Sequence, residues 1–166
     1  MPKPRLYLES TIPSYLTAWP SRDLVIAGHQ QVTKDWWRER RDDFDIRISQ
    51  FVWIEAAAGD PEAARQRLEI LQPFPWLDLT DDSEKLTTAL LQARIIPEKA
   101  ARDAAHIAVC AVHRIDYLMT WNCAHIANAE IIKVVRRICA EHGFECPEIC
   151  TPDELMGDSN VPRSNR

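Results

Sequence analysis

Long hydrophobic runs are missing from this chain of 166 residues. None approaches the roughly 20 apolar residues that a membrane-spanning helix needs, and the first residues, MPKPRLYLES, lack the apolar core of a signal peptide. Both absences predict a protein with no membrane association that stays in the cytoplasm.

The sequence also lacks an excess of positive charge and an even set of cysteines. Its formal net charge is −5, which repels polyanions on average, so nucleic-acid binding would have to come from a local basic face or from bound cations. The five cysteines are an odd number. In a chain without an export signal, reduced thiols are therefore expected instead of disulfides.

Length and composition fit one globular domain. With 46% hydrophobic and 27% charged residues, the chain can bury a full core and does not have the composition of a disordered protein. We predict a single domain over residues 1–156. Residues 157–166, GDSNVPRSNR, are polar and are predicted to form a frayed tail.

Short apolar segments alternate with helical patterns along the chain. Strands are predicted at residues 5–9, 44–48, 76–79, 117–120 and 148–150. Helices are predicted after the turn at residues 10–13 and over 21–41, 50–58, 60–71, 81–93, 97–113 and 124–142. The alternation predicts an α/β fold, a three-layer α/β/α sandwich around a central, mainly parallel sheet of about five strands.

Acidic and amide side chains stand near the ends of several predicted elements. The candidates are Glu9 after the first strand, Glu55 in the helix after the second, Asp103 early in an alanine-rich helix, and Asn122 after the fourth strand. Open parallel sheets build their sites at the carboxyl edge of the strands. Hard divalent cations prefer oxygen ligands of this kind. The ordered set therefore predicts a site for a cation such as Mg²⁺.

Asp103 is the strongest single candidate. It shares a helix face with Ala104 and Ile107, and a carboxylate on an apolar face is costly to bury unless it is paired or bound to a metal. An ion pair with Arg102 or Lys99 is the alternative.

The other candidates also have ordinary structural interpretations. Glu9 and Glu55 are each compatible with an exposed surface acid, and Asn122 with a turn residue or helix cap. The order of the set along the chain carries the prediction, because no member does so alone.

Five segments together resemble the PIN-domain nucleases, which include the VapC-type toxins of bacterial toxin–antitoxin pairs. The resemblance covers roughly residues 5–156. The segments are LYLESTIPSYLT (6–17), SQFVWIEAAAGD (49–60), IIPEKAARDAAHIA (95–108), YLMTWNCAHIAN (117–128) and CPEICTPDEL (146–155). Their order and spacing are jointly specific, and the TWNCxHxAN form is similar to one subgroup of the family.

The resemblance implies a PIN-like fold and metal-dependent hydrolysis of RNA by an endoribonuclease that uses Mg²⁺ or Mn²⁺. It places Glu9, Glu55, Asp103 and Asn122 at the four metal-site positions, with the three acids as catalytic residues. It also implies that a hydroxyl of Ser10 or Thr11 supports the first acid. Arg102 is adjacent to the presumed site in the sequence, and this position makes it the best phosphate-binding candidate. The partners it implies are an RNA substrate, an antitoxin protein and a second copy of the chain in a homodimer.

Two positions depart from the family's commonest pattern, which has Asp at the first position and often at the fourth. Glu9 is one methylene longer than Asp, which would shift the ion unless the backbone compensates. Asn122 removes one negative charge. We therefore expect one tightly held ion, with a second recruited by substrate phosphate.

Three other interpretations remain open at this point. Cys139, His142, Cys146 and Cys150 have a spacing that resembles a structural zinc site, although Cys139 also continues the apolar face of its helix. His106 can orient Asp103, line the cleft or be a buried structural histidine. Finally, the altered acids suit a PIN-like module that binds a partner protein or RNA without efficient catalysis, with Trp36 and Trp37 as docking residues.

Overall fold

The strands form one parallel sheet. A computed structural model describes residues 2–157. The strands are β1 (Arg5–Leu8), β2 (Asp45–Ser49), β3 (Trp76–Leu77), β4 (Tyr117–Met119) and β5 (Glu148–Cys150). Their order in the sheet is β3-β2-β1-β4-β5, and every neighbouring pair is parallel. The predicted α/β class with a central parallel sheet is confirmed, and the proposed tail lies almost entirely outside the described residues.

Seven α-helices of the described residues flank this sheet and give the three-layer α/β/α arrangement. They are α1 (Thr11–Thr17), α2 (Leu24–Glu39), α3 (Gln50–Ala56), α4 (Pro61–Leu71), α5 (Asp81–Gln92), α6 (Ala101–Val112) and α7 (Ala129–Glu141). Within residues 2–157, none of the helices has both the length and the apolarity that crossing a membrane requires.

Side-chain oxygens begin several helices where the sequence predicted them. The capping residues are Asp23, Ser49, Asp60 and Thr80, whose side chains accept backbone N–H groups at the starts of α2, α3, α4 and α5. Gly59 follows α3 with a φ of 86°, the left-handed conformation expected for a glycine after a helix. These local signals explain why most predicted helix boundaries lie close to the observed ones.

The start of α7 was predicted too early. The sequence suggested a helix over 124–142, but α7 begins at Ala129, because Asn128 is its cap and accepts two backbone N–H groups through its side chain. The preceding segment is a turn, in which the N–H of Ala127 donates to the carbonyl of Asn122 at 2.8 Å. This turn separates the end of β4 from α7 and gives Asn122 a structural task.

β1 lies at the centre of the sheet and carries the first acid at its carboxyl end. Leu6, Tyr7 and Leu8 are fully buried, and Leu8 is in register with Met119 of β4. The N–H of Glu9 continues the ladder by donating to the carbonyl of Met119 at 3.2 Å. Glu9 therefore leaves the sheet at the carboxyl edge, where open parallel sheets build their sites.

Trp36 belongs to the core and not to an exposed docking face. Its side chain is fully buried, and its ring centre lies 5.6 Å from that of Phe44. Trp37 is half-buried and packs edge-on against Phe74. A partner therefore has no access to Trp36, which weakens the docking role considered for this pair.

Replacing Trp36 with alanine is expected to lower the free energy of unfolding by about 3–5 kcal/mol, the usual cost of deleting a large buried aromatic side chain. Urea denaturation followed by circular dichroism measures the loss. Trp19→Ala is the control, because Trp19 is 91% exposed and its loss should cost within about 0.5 kcal/mol. A Trp36→Ala cost below about 1 kcal/mol, the average for any substitution, would contradict the packing.

Candidate metal centre

Glu9 is a buried carboxylate surrounded by neutral donors. It is only 2% exposed. Oε1 accepts a hydrogen bond from the hydroxyl of Ser10 at 2.9 Å. Oε2 accepts from the N–H and hydroxyl of Thr11, at 3.0 and 2.5 Å, and from the hydroxyl of Thr120 at 2.8 Å. Within residues 2–157 none of these partners is a cation, so the negative charge is solvated by hydrogen bonds but not neutralised.

The hydroxyls around Glu9 come from two different strand ends. Ser10 and Thr11 start α1, and both contact the carboxylate, as the resemblance implied for one of them. Thr120 follows β4 and also accepts the N–H of Asn122 at 2.9 Å. Thr11 in turn accepts the N–H of Trp121 at 2.9 Å. The carboxylate is therefore fixed by a network that joins the ends of β1 and β4.

Glu55, on α3, lies near Glu9 and contacts the buried side chain of His106. Its Oε1 lies 2.5 Å from Nε2 of His106. The His106 side chain is fully buried, while that of Glu55 is 27% exposed. On the other side of the ring, Nδ1 of His106 lies 2.6 Å from the hydroxyl of Tyr7, and that hydroxyl lies 2.7 Å from Oγ of Ser49. Glu55 is therefore held from the inside and open to solvent on the outside.

Burial determines the protonation state of the tyrosine in this chain of contacts. Desolvation, followed by the charges of Cys110, Glu9 and Glu55, raises the pKa of Tyr7 well above its ordinary value, and the hydrogen bond from Ser49 offsets only part of this. Tyr7 is therefore a neutral phenol at physiological pH and keeps a proton to donate.

Glu9, Glu55 and His106 lie close enough together to hold an ion. Potential ligand atoms of the three side chains are all within 4.8 Å of one another. A buried carboxylate that meets no cationic partner in the described part of the chain, next to a second, partly exposed carboxylate, is a donor set that suits a hard divalent cation. The residues present therefore fit the Mg²⁺ or Mn²⁺ that the resemblance implies.

Asp103 lies one helical turn before His106 on α6 but outside that group of three. Its Oδ2 lies 3.0 Å from Nδ1 of His125, and the side chains of Asp103 and His125 are 15% and 31% exposed. The sequence alternatives for this acid were Arg102 and Lys99, so the observed partner differs from both. Asp103 is therefore held by His125 through Oδ2, at a part-buried position on α6.

Asn122 has its side chain in a turn. Its Oδ1 accepts the N–H of His125 at 3.0 Å, and its own N–H donates to Thr120. The asparagine therefore places His125, which in turn contacts Asp103. The structure brings Glu9 and Glu55 together as the sequence suggested, and it connects Asp103 and Asn122 to each other through His125.

Arg102 is exposed on the surface next to these residues. Its guanidinium carbon lies 5.8 Å from the ring centre of Phe51, which belongs to α3. A cation over an aromatic ring at an exposed position is held weakly.

Sequence reasoning missed the contacts of His106, Thr120 and His125. The available signal for His106 was the spacing Asp-x-x-His, because residues three apart share a helix face. His106 was considered as a residue that orients Asp103, whereas the structure gives it Glu55. That contact joins positions 51 residues apart, and no local pattern encodes it.

The side chains with zinc-like spacing have other partners. Nδ1 of His142 donates to the carbonyl of Ile138 at 2.9 Å, and Sγ of Cys150 donates to the carbonyl of Leu118 at 3.7 Å. Within residues 2–157, the group of three or more metal-capable side chains that converges is the one containing Glu9. The zinc interpretation of the cysteines therefore has no geometric support in the part of the chain that the structure describes.

We expect one of the five cysteines to react rapidly with Ellman's reagent in the native protein. Cys123 is exposed. Cys110 is buried, and burial raises its pKa well above the ordinary value, while burial followed by nearby acidic charges raises the pKa of Cys150 to about 12. All five thiols should react after denaturation in guanidinium. Thiols that become reactive on adding EDTA alone would contradict this account and point to bound zinc.

A comparison of the chain with models of known protein families finds no match, and neither does a comparison with curated proteins.

Proposed function

We propose that this protein is a metal-dependent endoribonuclease of the PIN-domain type that binds Mg²⁺ or Mn²⁺ between Glu9 and Glu55. The observation that carries the proposal is the buried Glu9 carboxylate, whose donors among residues 2–157 are all neutral and which lies next to Glu55 at the carboxyl edge of a parallel sheet. The order of the acids along the chain and the segments that resemble PIN-domain nucleases support the same activity.

In this proposal the side chains of the site have two roles, binding the ion and binding the RNA. Glu9 and Glu55 supply carboxylate oxygens, and Thr11 and Thr120 keep Glu9 in place by donating to it. A bound Mg²⁺ or Mn²⁺ would polarise the scissile phosphate and lower the pKa of a water molecule that attacks it. Arg102, an exposed cation beside Asp103 in the sequence, is the residue proposed to bind a phosphate of the substrate.

Asp103 and Asn122 contribute unequally in this proposal. Asp103 can join the ligand set through Oδ1, because its contact with His125 uses Oδ2. Asn122 already uses its amide oxygen to accept the N–H of His125, so its main task is to place that histidine. The low negative charge of the site agrees with one tightly bound ion and a second that arrives with the substrate.

The site is tested with a fluorescent single-stranded RNA and a titration of Mn²⁺ and Mg²⁺. Cleavage is expected to rise with metal concentration and to stop when EDTA is added. Protein depleted of contaminating nuclease by two purification steps, and a parallel preparation of the Glu9→Gln variant, provide the controls. Equal, metal-independent cleavage by both preparations would reject the proposal.

A binding module is the second candidate function. Trp19, Leu24 and Val25 are 91%, 88% and 66% exposed, and large exposed apolar side chains that cluster along the chain are frequent at interfaces. RNA retention on a filter without metal-dependent cleavage would favour this function over the nuclease.

The biological setting proposed is cytoplasmic, with the chain as the toxin of a type II toxin–antitoxin pair. An antitoxin protein would then bind the enzyme, and a homodimer is the expected form. Growth arrest on induced expression, relieved by co-expression of a candidate antitoxin encoded beside this protein and absent in the Glu9→Gln variant, tests this setting separately from the chemistry.

A further inference from the structure

We propose that His106 is a positioning residue that holds Glu55 toward the cation, and that Tyr7 and Ser49 fix the state of its ring. The inference rests on the proposed metal-dependent function and adds three residues outside the ligand set. Its basis is an unbroken, buried series of contacts from Ser49 through Tyr7 and His106 to Glu55.

The hydrogens in this series have one consistent order. Oγ of Ser49 accepts the N–H of Phe51 at 3.2 Å, so its own hydrogen is free to go to the hydroxyl of Tyr7. The phenol hydrogen then goes to Nδ1 of His106, which leaves a hydrogen on Nε2 for Oε1 of Glu55. Every donor and acceptor in the series is used in this order.

The reverse order leaves a hydrogen without a partner. A ring carrying its hydrogen on Nδ1 would donate to Tyr7, and Tyr7 would then donate to Ser49. The hydroxyl hydrogen of Ser49 would have no acceptor among the described residues, because the remaining contact of Ser49 is with a donor, the N–H of Phe51. An unsatisfied buried hydroxyl is costly, so the first order is favoured.

His106 acts through Glu55 and not as a ligand. Both ring nitrogens are already engaged, Nδ1 with Tyr7 at 2.6 Å and Nε2 with Glu55 at 2.5 Å. The contact uses Oε1 of Glu55, so Oε2 is left for the cation. Histidines and carboxylates that support a ligand in this way commonly set its orientation and basicity.

The series also connects the two ends of the site. Ser49 ends β2 and caps α3, the helix that carries Glu55. Tyr7 lies in β1, two residues before Glu9. One buried set of hydrogen bonds therefore ties the position of Glu55 to the strand that carries Glu9, which fixes the separation between the two carboxylates.

The test measures Mn²⁺ affinity by isothermal titration calorimetry without RNA, in the wild type and in His106→Leu and His106→Gln. Leucine removes both ring nitrogens, whereas the glutamine amide can still donate to Glu55. We expect His106→Leu to weaken Mn²⁺ binding about 10- to 100-fold, the usual loss for a residue that supports a metal ligand, and His106→Gln to recover most of it. Tyr7→Phe, which keeps the ring and removes the donor to His106, should also weaken binding, by about 10-fold, the low end of the same range.

Melting temperatures of the metal-free proteins separate positioning from stability. Ile107→Val is the matched control, since Ile107 is a fully buried neighbour on α6 whose shortening should lower the melting temperature without changing Mn²⁺ affinity. If His106→Leu does not fold, the test uses His106→Gln and Tyr7→Phe. Unchanged Mn²⁺ affinity in Tyr7→Phe would then show that Tyr7 does not position Glu55 through His106, and would overturn the inference.

Other results with the His106 variants would also overturn the inference. Wild-type affinity in His106→Leu, or a loss in His106→Gln as large as in His106→Leu, overturns the inference while the proposed function stands. A nitrogen coupling on bound Mn²⁺ in pulsed electron paramagnetic resonance that disappears in His106→Gln would make His106 a ligand, which also overturns it. A wild-type protein that binds no Mn²⁺ contradicts the proposed function itself.

Discussion

Glu9→Gln is expected to lower metal-dependent RNA cleavage by at least about 100-fold, because residues that only support a metal ligand already account for 10- to 100-fold and Glu9 is proposed as the ligand itself. Glutamine has nearly the same shape but no charge, so the attraction for a divalent cation disappears. Its amide group would also present hydrogens to the hydroxyls of Ser10, Thr11 and Thr120, which donate to the native carboxylate.

The measurement is kcat/KM on a fluorescent single-stranded RNA at saturating Mn²⁺, with circular dichroism to check the fold. Glu84→Gln is the matched control, because Glu84 is an exposed glutamate on α5 and its replacement makes the same chemical change. Cleavage by Glu9→Gln within threefold of the control would show that Glu9 does not hold the ion.

Asp103→Asn is expected to reduce cleavage by about 100-fold, the low end of what a positioned catalytic carboxylate contributes, while Mn²⁺ affinity changes far less. Cleavage and Mn²⁺ affinity are expected to respond differently because of where Asp103 lies. Asp103 lies outside the group formed by Glu9, Glu55 and His106, so the first ion keeps its main ligands. Asparagine can still accept the hydrogen bond of His125, so the turn after β4 should be preserved.

Cleavage rates and Mn²⁺ calorimetry on the same preparations measure both halves of this prediction. Asp82→Asn on α5 is the control, since Asp82 is exposed. Unchanged cleavage in purified Asp103→Asn would remove Asp103 from the catalytic set. A loss of Mn²⁺ affinity as large as that in Glu9→Gln would instead place Asp103 among the ligands of the first ion.

Much of the fold could be predicted from the sequence, because the residues that begin and end its helices act locally. Asp23, Ser49 and Thr80 cap their helices with their own side chains, and Gly59 takes the left-handed conformation that follows α3. The start of α7 was misplaced because helical periodicity continues back through the turn, and the capping strength of Asn128 was not weighed against it.

Part of the site could also be predicted from local sequence signals. Glu9 could be placed from the sequence, because an acid directly after a central parallel strand must emerge at the carboxyl edge. The contact between Glu55 and His106 could not, since it depends on how α3 and α6 pack. Asn122 was read as a ligand from its position after β4, and the structure shows its amide oxygen bound to the N–H of His125.

The position of a bound ion shows whether Glu9 and Glu55 hold it together. Crystals grown with Mn²⁺ and measured near the manganese absorption edge are predicted to show an anomalous peak in contact with carboxylate oxygens of Glu9 and Glu55. His106 should still contact Glu55 in that structure and lie outside the coordination sphere. A peak elsewhere, or none between these two carboxylates at saturating Mn²⁺, would contradict the account.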